Sequence, residues 1–570
     1  AGAFTKGDWC HFVITREADT LRIYRNHNLY FNSIDNFYGG TLGDAVDLVF
    51  SASPHRFKGA IDDLRLYNKR LAQSEIDLLW FEKRPFVFND PKPTDAYVQG
   101  STLSANWQYD TTQVSDSIIV QYSINSGPWI SPVHSGLAYE YYSNLNLNFP
   151  PGTTIEFRVY DKADPSKLAN SGQMIMSEYD WVEVAPTLPW NSKDGAGLLT
   201  YNGKMWLLGG WDPPYHPPVN THNEIWSSTD GANWNYEGDA PWPARHCGGW
   251  MVYDNAMWVV GGDPQSGCLA DAWKSTDGIN WTLIQDTLSP SYAKKHNTNY
   301  AALPNKMIMM GGSSCGMAMP VAFNEVWESA DGATWNQLPD APWSGRSMQI
   351  NYCVDDTGAI WILGGAGEHD RRSYNDVWKT TDGINWIEVN EAAPWMGRYW
   401  HLTSWFDQKI WVVSGVATGT EVNDVWYSED GISWHELKST TGNWPAGTRH
   451  AASTTVFDNA LWYMCGINTN NAWKIVNTTQ VSSTEELTPD SNLFSVYPNP
   501  SSQFINLSTP KNWNRDIEII NYMGKTELSQ KGMSNGSTVN IDNLTSGIYL
   551  IRFFDIQGRM QGVTKLIKLE

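Results

Sequence analysis

The stretch Trp226-Ser227-Ser228-Thr229-Asp230-Gly231-Ala232-Asn233-Trp234 decides the fold, because its pattern returns four more times along the chain. The further copies run from Trp273 to Trp281, Trp327 to Trp335, Trp378 to Trp386 and Trp426 to Trp434. Their Asp-Gly steps, at 230, 277, 331, 382 and 430, are 47, 54, 51 and 48 residues apart. A period near fifty residues is typical of β-propeller blades. The sequence therefore predicts one supersecondary unit that is copied around a ring.

Each unit also contains a short apolar strand that ends in small residues, and the chain has six of these strands. They are Met205 to Gly210, Trp258 to Gly262, Met307 to Gly312, Trp361 to Gly365, Trp411 to Gly415 and Trp462 to Gly466. Six such strands predict six blades. Because the last unit is one strand short, Trp181 to Val184 is predicted to pair with Ala472 to Val476 and close the ring, which protects its free edges.

The Asp-Gly steps are predicted to form hairpin turns, since both central residues of a tight turn must tolerate positive φ. With two central residues, the pairing places Trp226 opposite Asn235 and Trp234 opposite Ser227. The two tryptophans then lie on opposite faces of the sheet. This register predicts that each of them packs into a different seam between blades.

The glycine pair, the aromatic strand and the tryptophan beyond a turn resemble the kelch repeat, over about Trp181 to Val476. The resemblance implies a six-bladed kelch-like β-propeller over residues 181–476. With 31 Trp, 26 Tyr and 47 Gly in 570 residues, the remaining chain also favours sheets and turns. We therefore expect an all-β protein in which β-sandwich domains flank the propeller.

Residues 1–84 contain Trp9 to Ile14, Leu21 to Tyr24 and Lys58 to Asn68, a series that resembles the closing half of laminin G or concanavalin-like jelly rolls. The resemblance implies that the opening half lies upstream, and it leaves open a structural calcium ion. We expect no other metal or cofactor. Period-two alternation in residues 85–180 predicts an immunoglobulin- or fibronectin-like sandwich. Residues 477–492 are rich in Ser and Thr and are predicted to be a linker.

The last segment, residues 493–570, carries four short motifs in order. They are Tyr497-Pro498-Asn499-Pro500, Ile505-Asn506-Leu507, Gly547-Ile548-Tyr549 and Lys565-Leu566-Ile567-Lys568. These motifs resemble the C-terminal sorting domain of type IX secretion cargo in Bacteroidota. The resemblance implies passage through the periplasm and across the outer membrane to the cell surface or the medium. It also implies two partners, the type IX translocon and an outer-membrane shuttle barrel.

Charge and cysteine content bound the other possibilities. The net charge of -22 disfavours nucleic acid, because phosphate binding needs a basic surface. No stretch approaches the roughly 18 uninterrupted apolar residues of a membrane span. Six cysteines are too few for a dense disulfide framework. A disulfide between Cys247 and Cys268 is predicted at one rim of the propeller, with two free thiols as the alternative.

Basic residues recur where the inner strand of each blade begins. Arg245, Arg346, Arg398 and Arg449 stand at this position, with Lys294 and Lys295 in the blade that has no arginine. Because these strand starts converge on one mouth of the channel, the cations could form a collar that binds carboxylates or sulfates. In the alternative, each arginine bonds to carbonyl groups of its own blade, as residues repeated in every blade usually do.

Non-repeating loops on the same face are the stronger candidates for ligand binding, because irregular loops on a rigid scaffold commonly carry it. The candidate residues are Trp211, Tyr215, His216, Arg371, Arg372 and Tyr374. A second set, the tryptophans of the Pro-Trp or Asn-Trp steps, either stacks on sugars or packs between blades. This set consists of Trp190, Trp242, Trp343, Trp395 and Trp444.

No catalytic set is evident in the sequence. The Ser-x-Asp-Gly-x-x-Trp motif resembles the Asp-box of sialidases but is one residue short, and Asp-boxes are turn elements. No grouping of Tyr and His matches the copper ligands of galactose-oxidase-like propellers, and His216 and His222 in one loop are more typical of solvent-facing residues. We therefore predict a secreted or surface protein that binds extracellular glycan in adhesion. The alternatives are an enzyme acting on polysaccharide and a surface spacer.

Overall fold

The computed structural model describes residues 12–34, 85–481 and 495–569, apart from short gaps. The gaps are residues 18–19, 26–27, 111, 116, 138–140, 213–220, 265–266, 287–294, 316–320, 348–351, 368–372, 418, 441–448, 468, 498, 500, 510–513, 522–525 and 555–559. Two compact units divide at Asn477 and Thr478. Almost every element is a strand, which confirms the all-β fold class.

Five four-stranded antiparallel sheets and four antiparallel strands of a larger sheet make up the middle of the first unit, and we number them as blades 1 to 6. Their strands, from the inner to the outer edge, are Gly197–Tyr201, Lys204–Leu208, Glu224–Ser228 and Asn235–Asp239 in blade 1; Gly249–Tyr253, Ala256–Gly262, Leu269–Ser275 and Thr282–Gln285 in blade 2; Asn299–Leu303, Lys306–Met310, Val326–Ser329 and Asn336–Gln337 in blade 3; Tyr352–Val354, Ile360–Ala366, Ser373–Thr380 and Ile387–Asn390 in blade 4; Leu402–Phe406, Lys409–Ala417, Thr420–Ser428 and His435–Lys438 in blade 5; and Ser453–Phe457, Ala460–Met464, Ala472–Asn477 and Tyr179–Ala185 in blade 6.

The ring closes as predicted. The innermost strands of neighbouring blades contact each other in a cycle that returns from blade 6 to blade 1, which is the arrangement of a six-bladed propeller. In blade 6, Trp181 pairs with Ile475 and Glu183 pairs with Trp473. The outermost strand of this blade therefore comes from before blade 1, so no blade is left with an open seam.

The repeated Asp-Gly turns are longer than predicted. Ser227 pairs with Asn235 and Trp226 pairs with Tyr236, so six residues, 229–234, connect the strands, and Trp234 belongs to the turn. The predicted register was therefore wrong, and so was the prediction of separate seams. The Trp190 ring contacts both Trp226, at 5.3 Å between ring centroids, and Trp234, at 5.0 Å.

The Asp-Gly turn of a blade packs closely against the preceding blade. In blade 1, Ser228 Oγ accepts hydrogen bonds from the backbone N–H of Asp230 and Gly231, and Asp230 Oδ1 accepts two more from residues 232 and 233. Gly231 has φ of 73°, and a Cβ atom there would lie 2.0 Å from Trp462 of blade 6. Glycine is required here both for the positive φ and for the close approach.

A β-sandwich precedes the propeller in the first unit. One sheet contains Phe86–Asp90, Thr102–Tyr109 and Tyr141–Asn146, and the other contains Asp95–Tyr97, Leu168–Met176, Thr154–Asp161, Ser117–Ile124 and Ile130–Leu137. Asp95–Tyr97 also pairs in parallel with His435–Lys438 of blade 5. The sandwich sheet thus continues into a blade, and Lys438 contacts the buried Asp95 at 3.0 Å across this junction.

Less is described at the start of the chain. Phe12–Glu17, Thr20–Arg25 and Asn28–Ile34 form one antiparallel sheet, and the rest of residues 1–84, including any calcium site, lies outside the described residues. Two short strand pairs lie near the inner ends of the blades, Lys295–His296 with Ser313–Ser314 and Arg398–Tyr399 with the end of Lys409–Ala417. No helix in the described part of the chain is long and apolar enough to cross a membrane.

The second unit contains a four-residue helix, Thr478–Val481, and two sheets. Ser495–Tyr497, Phe504–Ser508 and Thr538–Asn540 form the first sheet. Thr526–Ser534, Asn514–Asn521, Gly547–Phe554 and Met560–Lys568 form the second. Their apolar faces share a core that includes Ile505, Ile519 and Phe553. Most of the predicted linker, residues 482–492, lies outside the described residues.

Candidate functional site

The repeated cations lie inside the blades. Arg398 is fully buried, and its guanidinium group donates to both carboxylate oxygens of Asp424, at 2.5 and 2.6 Å, and to the carbonyl oxygens of Ser414 and Met396. Arg245 with Asp271 and Arg346 with Asp376 repeat this arrangement. These groups cannot form the predicted cationic collar, because their donors are already used within their own blades.

A lysine or arginine occupies the same position in all six blades, shortly before the inner strand, and we call these residues the anchors. Each anchor bonds to a residue that lies two positions before a tryptophan of the third strand. The pairs are Lys193–Glu224, Arg245–Asp271, Lys295–Glu325, Arg346–Asp376, Arg398–Asp424 and Arg449–Asn471. The long arginine bonds to the short Asp or Asn, and the shorter lysine bonds to the longer Glu, so the span of the pair is kept.

The recurring Pro-Trp and Asn-Trp tryptophans also serve the fold. Trp242 packs edge-on against Trp281 at 6.0 Å, and its ring lies 5.5 Å from the Arg245 guanidinium carbon. The equivalent contacts are Trp190–Trp234, Trp343–Trp386 and Trp395–Trp434. All four tryptophans are buried, which favours packing over sugar stacking, whereas Trp444 lies outside the described residues.

The residues directly after each anchor differ from blade to blade, and we call them the mouth residues. The first positions hold Asp194, His246, His296, Ser347, Tyr399 and His450, and the second positions include Gly195, Cys247, Asn297, Trp400 and Ala451. The described second-position residues all have φ between 47° and 59°. Backbone hydrogen bonds join them across blades, from Cys247 to Gly195, from Gly195 to Ala451 and from Ala451 to Trp400.

We call this series of hydrogen-bonded second-position residues the belt. It directs side chains of different chemistry toward one end of the channel. A left-handed φ at a non-glycine residue costs about 1 to 2 kcal/mol. Cys247, Trp400 and Ala451 accept this cost because the cross-blade hydrogen bonds hold their backbone in place. Strained positions of this kind cluster at functional sites.

At blades 5, 6 and 1, a histidine is held between two carboxylates. His450 Nδ1 lies 2.6 Å from Glu421 Oε1, and its Nε2 lies 3.8 Å from Asp194 Oδ2. The half-buried Trp400 ring stacks on His450 at 4.9 Å between centroids. Burial raises the pKa of Asp194 to about 7, so this carboxyl group exchanges a proton near neutral pH.

At blades 1, 2 and 3, two further histidines meet a cysteine. His246, Cys247 and His296 each present one potential ligand atom, and these atoms lie within 4.8 Å of one another. The Trp211 ring stacks on His246 at 5.9 Å. Burial raises the pKa of the Cys247 thiol well above its ordinary value and lowers the pKa of His246. Both groups are therefore neutral at physiological pH.

The disulfide at this rim differs from the predicted one. Cys268 bonds to Cys315 rather than to Cys247, with the Cα atoms 6.1 Å apart. It joins the loops that follow the second strands of blades 2 and 3. Cys247 is buried at the start of an inner strand and is a free thiol. The prediction failed because it placed two residues on the same rim without knowing which loops are adjacent.

Behind the mouth, the six inner strands line a cavity of about 330 Å³. Aromatic rings and hydroxyl groups face it, among them Trp250, Tyr352, Trp405, Thr403 and Thr454. The cavity is large enough for a few water molecules or one sugar-sized group.

The predicted non-repeating residues have mixed outcomes. Trp211 lies at the mouth, with bridges to Asp194 and Thr221. Tyr374 lies on the third strand of blade 4, where its ring is 4.6 Å from the Arg346 guanidinium carbon, so it supports an anchor. Tyr215, His216, Arg371 and Arg372 lie outside the described residues. Ligand contact by these six residues remains a prediction.

The sequence prediction did not name Asp194 or Glu421, and it named Cys247 only as a disulfide partner. His246, Trp400 and His450 stood out as residues that follow a repeated cation, but they were not among the predicted ligand-binding residues. A signal for most of them was present. They follow directly on the repeated cation, yet they break the repeat. Glu421 carried no such signal, because it lies on the second hairpin of blade 5 and reaches His450 only through the fold.

In the second unit, the sorting motifs meet in space. Asn499 Oδ1 accepts a hydrogen bond from the Ile567 backbone N–H at 2.8 Å, and Ser501 and Lys568 form a parallel bridge. Buried Tyr549 donates to the Thr545 carbonyl, and Lys568 Nζ donates to the Leu569 carbonyl. Gly547 pairs with Lys568 and Leu550 with Lys565 on the last two strands, whereas Tyr497 is exposed and Pro498 and Pro500 lie outside the described residues.

Comparisons with known proteins agree with this division. Residues 495–568 match the model of the secretion system C-terminal sorting domain, and residues 1–77 match that of the concanavalin A-like lectin/glucanases superfamily. A solved structure titled "Structure of YjhT" is 12% identical over 51% of this chain and 95% of its own, with a TM-score of 0.39. That similarity is too weak to support an argument. A search of curated proteins returned no match.

The class of protein follows from these observations. The chain is all-β, with a laminin G/concanavalin-like domain at its start and a type IX sorting domain at its end. It interacts with the type IX secretion machinery and is exported to the cell surface or beyond. The laminin G-like domain suggests a carbohydrate-binding module.

Proposed function

We propose that this exported protein is an adhesion protein that binds extracellular glycan at the mouth of its propeller. The observation that carries the proposal is the pairing of half-buried aromatic rings with polar groups at the non-repeating positions. Trp400 lies beside His450, and Trp211 lies beside His246. Flat amphipathic rings suit the apolar faces of sugars, while imidazole and carboxylate groups hydrogen bond to hydroxyls.

The charge of the mouth favours a neutral glycan. Arg245, Arg346 and Arg398 are buried in ion pairs, and Arg449 is buried against the Asn471 amide. By contrast, Asp194 and Glu421 bring carboxylate groups to the mouth, on either side of His450. An anionic sugar would therefore meet repulsion without a compensating cation. This refines the proposed ligand class from acidic to neutral glycans.

The match of residues 1–77 to a lectin-type superfamily supports a second binding module. Two weak sites on one chain can hold a polymer together far more tightly than either alone, through a raised effective concentration. We therefore expect the full chain to bind long glycans better than short ones.

The test is a glycan array with the full chain and with Trp400→Ala and Trp211→Ala. We expect binding to neutral glycans that falls at least about fivefold in either variant, since losing a stacked aromatic contact costs about 1 to 3 kcal/mol. Trp129→Ala is the matched control, because Trp129 is also half-buried but packs on Arg158 of the sandwich. Equal loss in all three variants, or preferred binding to sulfated glycans, would contradict the proposal.

A second candidate function, an enzyme acting on polysaccharide, is favoured by Asp194. Its pKa of about 7 and its approach to His450 are typical of a proton-transferring pair. Release of reducing ends from a bound glycan, abolished in Asp194→Asn with binding retained, would establish it. Binding without product release would leave adhesion as the function.

For the second unit, we propose recognition by an outer-membrane shuttle barrel at the end formed by Asn499, Ser501 and residues 565–570. The convergence of the first and last motifs at that end supports this assignment. Removal of residues 565–570 should leave the protein in the periplasm, with its propeller folded. Fusion of residues 493–570 to an unrelated reporter that carries a signal peptide should export it. Surface delivery of the truncated chain would refute this role.

A further inference from the structure

The histidine and cysteine side chains at blades 2 and 3 form a cluster of which the proposed glycan site uses only His246. His246, Cys247 and His296 bring two imidazoles and one thiol together, with their potential ligand atoms no more than 4.8 Å apart. Each is a mouth residue, so each follows an anchor, Arg245 or Lys295, that is bonded within its blade. Both backbone segments that carry the cluster, one in blade 2 and one in blade 3, are therefore fixed by an anchor.

We propose that His246, Cys247 and His296 form a binding site for a transition-metal ion, with zinc as the resident metal. Thiolate and imidazole are the ligands that zinc prefers, with bonds of about 2.0 to 2.3 Å. A tetrahedral ion would hold such atoms about 3.3 to 3.7 Å apart. The cluster thus needs to contract by only about 1 Å.

The hydrogen bonds around the cluster prepare the ligands. His246 Nδ1 lies 3.1 Å from the Asp263 carbonyl oxygen, which can only accept, so this nitrogen carries the proton and Nε2 presents its lone pair. The carboxylate of the same residue reaches His296, with 3.3 Å between Oδ2 and Nε2, so Nδ1 is the nitrogen that His296 offers to a metal. The Asn297 amide nitrogen lies 3.2 Å from this Nδ1 and must turn away when the metal binds. One residue therefore orients both imidazoles, as carboxylate and carbonyl groups do around zinc ligands. Asp263 is a positioning residue in this proposal.

Cys247 is an unusual choice at its position. The equivalent residues are Gly195 in blade 1 and Ala451 in blade 6, and all three have left-handed φ. Gly195 and Ala451 have no side-chain donor atom, so the backbone hydrogen bonds across the blades do not require one at this position. When the metal binds, a bond forms between zinc and sulfur, the S–H bond breaks and its proton goes to solvent.

The site lies outside the proposed stacking pair of Trp400 and His450 but shares Trp211, whose ring covers His246. Three protein ligands leave a fourth tetrahedral position, which is the arrangement of zinc sites that bind a water or a ligand oxygen. The inference does not depend on glycan binding, and its test measures the metal itself.

The experiment is a titration of the full oxidised chain with Co²⁺ and then Zn²⁺, in excess Ca²⁺ to occupy any calcium site. We expect one equivalent of Co²⁺ to give a thiolate-to-cobalt charge-transfer band that Zn²⁺ abolishes. In Cys247→Ala the band should be lost, and in His296→Ala the affinity should fall at least tenfold. In Asp263→Asn the affinity should fall about 10- to 100-fold, the effect typical of outer-sphere partners.

Cys353→Ala is the matched control, because Cys353 is also a buried free thiol but belongs to an inner strand of blade 4. Cys247→Ala should fold, since blade 6 already carries alanine at that place and φ. A band that survives in Cys247→Ala or disappears in Cys353→Ala would overturn the proposal, and so would the absence of an equivalent of bound Co²⁺.

Discussion

Two sets of residues that are neighbours in the chain differ completely in their use. The anchors repeat in all six blades and are buried. Five of them pair with a carboxylate, as Arg398 does with Asp424, and Arg449 bonds to the Asn471 amide. The mouth residues follow directly after them, yet they range from Asp194 to Cys247 to Trp400. The anchors hold each inner strand to its blade, and this fixed backbone allows the next two residues to vary.

The difference teaches that a repeated charge in a propeller is a poor guide to a ligand site. Burying an ion pair is tolerated only when both partners find good geometry, so selection on the fold alone keeps it in every copy. A binding site on the ring axis meets one ligand, which rarely has sixfold symmetry. Departures from the repeat are therefore more informative about function than the repeat itself.

The largest expected effect comes from breaking an anchor. Arg398→Met leaves Asp424 buried without its cation, and we expect the free energy of unfolding to fall by about 3 to 5 kcal/mol. Trp400→Ala, two residues away, should cost only about 1 kcal/mol, the worth of one aromatic contact. Urea unfolding of both variants measures the contrast. Similar losses would mean that anchors and mouth residues are not distinct classes.

A second test concerns the turns that join the blades. In Gly231→Ala the new methyl group would meet Trp462 at 2.0 Å, so we expect a loss of about 2 to 4 kcal/mol from overpacking and left-handed φ together. Gly203→Ala has nearly the same φ, 70° against 73°, and nothing within 4 Å of the added atom. It should lose only about 1 kcal/mol. Equal losses would show that strain alone, and not blade packing, requires the glycine.

The third prediction concerns a mouth carboxyl group and pH. The pKa of Asp194 is about 7 in the folded chain and near the ordinary aspartate value of 3.8 when unfolded. A raised folded pKa means that stability is full below about pH 4 and falls as pH rises through 7. Asp194→Asn should therefore stabilise the protein by up to about 4 kcal/mol at pH 8 and by nothing at pH 4. Thermal unfolding at both pH values decides it, and a pH-independent effect would contradict it.

The smallest effect is expected from giving Arg449 a carboxylate partner in place of Asn471, as the other anchors have. Arg449 bonds to Asn471 Oδ1 at 2.9 Å, where three other blades have an aspartate. The Trp473 indole N–H has no hydrogen-bond partner among the described residues, whereas Trp426 donates to Asp424 at 2.7 Å. Asn471→Asp should add about 1 kcal/mol to the unfolding free energy. The control is the reverse substitution at the equivalent position of blade 5, Asp424→Asn, which should lower stability. If both substitutions lowered stability, the two positions would not be equivalent.

Much of the fold could be predicted from local signals. The fifty-residue period, the six apolar strands and the missing strand of the last unit predicted a closed ring, and the pairing of Trp181 with Ile475 confirms its closure. The turn register failed because Asp-Gly was assigned to a two-residue turn, while Ser228 and Asp230 fold six residues through side-chain hydrogen bonds. The disulfide prediction failed because Cys268 and Cys315 are 47 residues apart in the sequence and are brought together only because blades 2 and 3 are adjacent in the ring.

The amino-acid sequence by itself determined the all-β class, the number of blades and the type IX sorting signal. Each of these rests on a repeat or on short motifs, and every copy or motif can be recognised within one local stretch of the chain. The tertiary structure alone decided which polar groups are available for chemistry. Arg398 and His450 are both basic residues at a strand start, yet one is buried against a carboxylate 26 residues away and the other meets Glu421 and Asp194 from two other blades. Burial and pairing depend on which segments the closed ring brings together, and that information is not local to any stretch of the chain.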